Sequence, residues 1–118
     1  MSARNASRAG AALIWCPFGD AQSAQDVAAI LVEEGLVACA NIVPAITSVF
    51  RWQGKVTQES EAGVLFKTTD KLLEAAVERL AELHPYETPA VSGWHVDHAP
   101  PAVLDWLAQQ TGTEQSDG

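Results

Sequence analysis

Basic residues are scarce in this chain: seven Lys and Arg stand against fifteen Asp and Glu, for a formal net charge of −8. A phosphate backbone is held by clustered Lys and Arg, so this composition excludes a nucleic-acid partner. Long apolar runs are missing as well. Nothing approaches the roughly 20 residues that cross a bilayer, and Ala11 to Cys16 is too short, and too soon followed by Pro17, to form a signal-peptide core. Only two cysteines occur, Cys16 and Cys39, which rules out a disulfide framework and fits a reducing compartment. Catalytic signatures are lacking too: there is no Gly-x-Ser-x-Gly elbow, no Gly-x-x-x-x-Gly-Lys phosphate loop and no His-Glu-x-x-His pair. These absences lead to the expectation of a soluble, cytoplasmic protein that is not an enzyme and touches neither membrane nor nucleic acid.

What is present suffices for one domain. The 118 residues are 47% hydrophobic, enough for a single core without disulfides or metals. Met1–Gly10, with Arg4, Arg8 and no acid, has a faint likeness to an organelle-targeting segment and reads as a disordered tail. The polar stretch 111–118 reads as a second tail, leaving 11–110 as the domain.

Within the domain, Ala11 to Cys16 reads as a buried strand ended by Pro17 and Gly19. Asp20 can cap a helix carrying Ala24, Val27, Ala28 and Leu31 at helical spacing, with Gly35 at its end. A second strand runs from about Ala38 to Trp52, where Pro44 removes a ladder donor and implies a bulge, a bend or an edge. Gln53-Gly54 supplies a tight turn, and Lys55 to Thr69 returns as strand three. Thr69 and Asp70 open a second helix with an apolar stripe of Leu73, Ala76, Val77, Leu80 and Leu83, closed by Pro85. Ala90 to Val96 is a fourth strand, and Pro100-Pro101 leads into a last short helix.

The order β-α-β-β-α-β specifies an α+β, ferredoxin-like split unit, here with an extended β2-β3 hairpin and a C-terminal helix. Strands two and three would each span about 45 Å at about 3.3 Å per residue, far beyond an ordinary strand. The hairpin must then project past the helices and expose Val49, Phe50 and Trp52 along free edges, an aggregation hazard that pairing with further copies removes. A homo-oligomer is expected.

Five segments taken together resemble the CutA divalent-cation tolerance proteins. They are Trp15-Cys16-Pro17, Leu36 to Pro44, Thr47 to Gly54, Lys67-Thr68-Thr69, and Leu83-His84-Pro85-Tyr86-Glu87-Thr88-Pro89. The resemblance covers about Ala12 to Leu107. It implies a homotrimer joined through the long hairpins, kinship with the PII-like signalling trimers that bind effectors between subunits, and copper as the metal.

Topology brings Cys16 and His84 to one end of the sheet, where a thiolate and an imidazole would suit copper or zinc. The structural reading of the same residues is a buried strand-end cysteine and a helix-terminal histidine. Where some family members have a second histidine, this chain has Leu83. Cys39 lies at the opposite end, which excludes a disulfide with Cys16. His95, Asp97 and His98 form either a surface metal cluster or a plain exposed turn. The resemblance further implies that Trp52, Glu61, Lys67, Tyr86 and Glu87 line a cleft between subunits; an interface ion pair with packing aromatics is the other reading. The functional expectation is a copper-binding trimer in cation tolerance, or a PII-like small-ligand sensor or scaffold.

Overall fold

The structure, a computed structural model, describes residues 10–113. Its elements are β1 (Ala11–Phe18), α1 (Ala21–Glu33), β2 (Cys39–Trp52), β3 (Lys55–Thr69), a 3-10 turn (Asp70–Leu72), α2 (Leu73–Leu83), β4 (Ser92–His95) and α3 (Pro101–Thr111). The sheet order is β2-β3-β1-β4 with every neighbouring pair antiparallel, which is the ferredoxin-like arrangement expected, plus the C-terminal helix.

Strand alternation divides the sheet into two faces. Ile14, Cys16 and Phe18 of β1, with Val64 and Phe66 of β3, pack against Ala24, Val27, Ala28 and Leu31 of α1 and Ala76 and Leu80 of α2. The alternate residues Leu13, Trp15, Leu65 and Lys67 lie on the opposite face and are only partly buried. Asp20 caps α1 by accepting from the Ser23 amide at 2.7 Å, and Gly35 ends it at φ 74°. Arg79 of α2 donates two hydrogen bonds, of 2.9 and 2.7 Å, to Glu34 just after α1 and ties the helices together.

β2 and β3 are longer than anything beside them. β1 opposes β3 only from Ala62 to Thr69, so Ile46–Trp52 and Lys55–Glu61 continue as a two-stranded ribbon. Seven residues at about 3.3 Å each carry it roughly 23 Å past the four-stranded body, consistent with a longest dimension of 55 Å. Gln53 (φ 48°) and Gly54 (φ 80°) close the tip. Val49, Trp52 and Val56 are 60%, 61% and 69% exposed on the ribbon. The expected irregularity at Pro44 is a bulge between Val43 and Ile46.

The bounds of β1, β4, the second helix and both ends of the domain differ from the sequence reading. β1 does not stop at Cys16 but runs through Pro17 to Phe18. In an antiparallel strand, alternate residues turn their N–H and C=O to opposite neighbours, and the Ala11 carbonyl, accepting from Val96 N–H at 2.9 Å, shows that odd residues of β1 face β4. The donor that Pro17 lacks would therefore face β4, whose ladder already ends at Trp15–Ser92, and the β3 side is unbroken. β4 is accordingly four residues, not the seven of Ala90–Val96. The second helix opens with the 3-10 turn before α2 begins. At the ends, Gly10 accepts from the Asp70 amide and so belongs to the domain, and Thr111 closes α3, with Thr113 N–H returning to Ala108. The rest of both expected tails, 1–9 and 114–118, lies outside the described residues.

Gly63 sits where the ribbon meets the body. A Cβ there would run into the Trp15 ring, so the indole can cross β3 only over a glycine. Gly63→Ala is expected to lower stability by about 1–3 kcal/mol through overpacking, read as a lower denaturant midpoint. Trp15→Leu in the same chain should recover part of the loss.

Candidate functional site at the end of β1

Three aromatic rings from two segments meet where β1 ends. Phe18, the last residue of β1, stacks on His84 with centroids 4.2 Å apart, and His84 contacts Tyr86 at 4.7 Å. The chain enters this arrangement because α2 stops there. His84 precedes Pro85 and takes the extended conformation (φ −67°, ψ 137°) that a following proline enforces.

The His84 ring is engaged on both sides. Tyr86 N–H donates to Nδ1 at 3.0 Å, so Nδ1 carries a lone pair and the proton sits on Nε2, which lies 2.8 Å from the Pro17 carbonyl oxygen. The Cys16 thiol also donates weakly to that oxygen, at 3.5 Å. Cys16 is fully buried, and burial, with a smaller contribution from the Glu61 charge, pushes its thiol up to about 12.

Tyr86 swings outward over Gly19 and donates its hydroxyl to Glu61 at 2.8 Å. Desolvation first, then the hydrogen bond to Glu61 and the negative fields of Glu61, Glu59 and Asp20, raise the phenol to about 12. Glu61 is the last residue of the ribbon before β3 gains β1 as a partner. The pair therefore marks the ribbon's base.

The predicted site residues divide accordingly. Cys16 and His84 are brought to one end of the sheet, as the topology required, and Cys39, paired opposite Lys67, is too far away for a disulfide. Glu61 and Tyr86 meet. Trp52 and Lys67 each lie six residues from the level of Glu61, about 20 Å along the strands, and Glu87 is exposed beside Tyr86. Lys67 makes no ion pair among the described residues. His95 places Nδ1 2.6 Å from Asp70 at the opposite end of the sheet. Among the described residues no group of three or more His, Cys, Asp or Glu side chains could hold a metal ion.

Copper, the metal implied by the resemblance, does not fit Cys16 and His84 as they are folded. Binding needs a thiolate and a free imidazole lone pair, whereas the thiol is buried and protonated and both ring nitrogens are engaged. Sequence reasoning missed Pro17 and Phe18 as parts of this site. The period-two placement of Phe18 after Ile14 and Cys16 was the available signal for the second.

The family model described as CutA1 divalent ion tolerance protein matches residues 12–110. The chain belongs to this family. It is 43% identical over 89 residues to the divalent-cation tolerance protein CutA of Thermus thermophilus, spanning 75% of this chain and 86% of that one. Among solved structures, CutA1 from Ehrlichia chaffeensis is similar with a TM-score of 0.84 and 30% identity, covering 87% of this chain and 96% of the other. CutA from Xylella fastidiosa gives 0.83 and 34% over 86% and 98%. A role in divalent-cation tolerance follows from membership in the CutA1 family. No helix among the described residues is long and apolar enough to cross a membrane.

Tyr86 is the chain's single tyrosine, so ultraviolet titration reads it alone. It should ionise near 12, and Glu61→Gln should bring it part of the way toward the ordinary value of about 10. Because the folded value is the higher one, stability from this group is intact below about 10 and is lost as pH rises toward 12. Native-state alkylation at pH 8, read by mass spectrometry, should leave Cys16 unmodified until the protein unfolds.

Proposed function

We propose that this CutA1 protein acts in divalent-cation tolerance as a cytoplasmic homotrimer without catalytic activity, and that it binds a small ligand or partner in a crevice at the ribbon's base. The observation that supports the reading most is the projecting ribbon, with Val49, Trp52 and Val56 exposed along the stretch of β2 and β3 that runs beyond β1. Free edges and apolar side chains together favour pairing with further copies.

In this reading the crevice forms around Tyr86 and Glu61, with Glu87 at its rim, and takes Trp52 or Lys67 from a neighbouring copy, since within one chain each lies about 20 Å along the strand from Glu61. This is the PII-like alternative: ligand recognition between subunits. Direct copper binding by Cys16 and His84 is the weaker reading, because it would need a thiolate from a fully buried thiol and would break both His84 hydrogen bonds.

Sedimentation at micromolar concentration tests the assembly. With a subunit of 12.6 kDa, a trimer should appear at about 38 kDa, three times that mass, and Phe50→Asp combined with Trp52→Asp should dissociate it. A well-folded wild-type monomer would remove both assembly and crevice. A small-molecule thermal-shift screen should then give a hit that is lost on Lys67→Ala and kept on Cys16→Ser.

A further inference from the structure

The end of β1 carries a problem of bonding that one side chain, His84, solves at both of its ends. Beyond Trp15 the β1–β4 ladder has ended, yet the Pro17 carbonyl still faces the β4 side in partly buried surroundings. On the other side, α2 has ended at Leu83, and Pro85 supplies no N–H, so Tyr86 is the next residue after His84 with an amide to satisfy. The His84 ring reaches both groups, accepting from Tyr86 at 3.0 Å through Nδ1 and donating to Pro17 at 2.8 Å through Nε2. It stands in for a missing rung of the sheet.

We propose that His84 is a positioning residue and not a metal ligand: held as the Nε2–H form, it joins the Pro17 carbonyl to the Tyr86 amide and so sets the Tyr86 phenol against Glu61. Stacking on Phe18 at 4.2 Å fixes the plane of the ring, and the contact with Tyr86 at 4.7 Å passes that orientation to the phenol. The proton on Nε2 and the proton of the Cys16 thiol are directed at one oxygen atom, the Pro17 carbonyl. A cation between Cys16 and His84 would meet two protons where it needs two lone pairs. Engaging Nδ1 instead would release the Tyr86 amide. Metal binding by His84 and the Tyr86–Glu61 arrangement therefore exclude each other, and divalent ions act on this protein through other groups.

The proposal deepens the reading of the crevice, and its test is separable from that of the assembly, because a monomeric protein would leave these bonds intact. Nuclear magnetic resonance on the intact 15N-labelled, deuterated protein reads them directly. Long-range proton–nitrogen spectra should show His84, assigned in the wild type through its contact with the Tyr86 amide, as the Nε2–H form. A scalar coupling should cross the hydrogen bond from the Tyr86 amide nitrogen to His84 Nδ1. Both signals should persist under excess Zn(II) and, in reducing buffer, under Cu(I). His84→Asn, which keeps an acceptor near the Nδ1 position, should hold the Tyr86 ring shifts closer to wild type than His84→Gln does, and Cys16→Ser should leave them unchanged. Zn(II) affinity should agree within twofold between the wild type and His84→Gln. Absence of the coupling, movement of the His84 nitrogens on metal addition, or a tenfold loss of Zn(II) affinity in His84→Gln would each overturn the proposal. The wild-type spectra decide it even where a variant fails to fold.

Discussion

The structure is governed by a mismatch of lengths. Two paired strands of 14 and 15 residues share a sheet with neighbours of eight and four, and α1 and α2 pack over the part that includes β1. Everything beyond Glu61 must find its partners outside the chain or leave edges and apolar side chains in water. The body solves its own burial problem with one core of even-numbered β1 and β3 residues against α1 and α2. The ribbon does not, and the base of the ribbon is where the candidate site lies.

At that base, the chemistry of the site follows from backbone requirements. Pro17 withholds a donor, β4 falls short, and α2 ends in a histidine followed by a proline. The buried cysteine and the clamped histidine are thus explained by hydrogen-bond satisfaction, which in a partly buried setting outweighs the modest net gain of any single bond, because an unpaired carbonyl forfeits its whole hydration. The outward-facing product of this arrangement is a tyrosine hydroxyl held on a carboxylate, beside further negative charge from Glu59 and Asp20.

The order of elements, both core helices, the turn at Gln53-Gly54 and the break at Pro44 were legible in the sequence because each depends on local period or local dihedral preference. Pro17 misled the reading because the cost of a proline in a strand depends on which neighbour its missing donor would face, and that was settled by the length of β4, a strand 75 residues further on. β4 in turn was overestimated because apolar composition at Ala90 and Val91 says nothing about whether a partner carbonyl remains available. Thr111 looked like tail by composition, yet its hydroxyl returns to the Leu107 carbonyl at 2.8 Å within the last turn of α3. Of the candidate site, proximity of Cys16 and His84 followed from topology. Their protonation and the Tyr86–Glu61 contact did not, since these turn on ring orientation and burial.

The bulge at Pro44 has an effect on geometry that reaches the tip. Before it, odd-numbered residues of β2 share a face with Lys67, Leu65 and Gly63; after it, Ile46 stands opposite Glu61, so even-numbered residues take over that face. One inserted residue thus changes the reading frame of the strand. Phe50 and Trp52 are delivered to the side continuous with Trp15 and Leu65, opposite the face on which α1 and α2 pack, instead of the side that those two helices occupy. A strand without that extra residue would present the same aromatics to the wrong half of space. The proline that looks like a flaw in β2 is what makes the long arm and the sheet face opposite α1 and α2 one continuous surface.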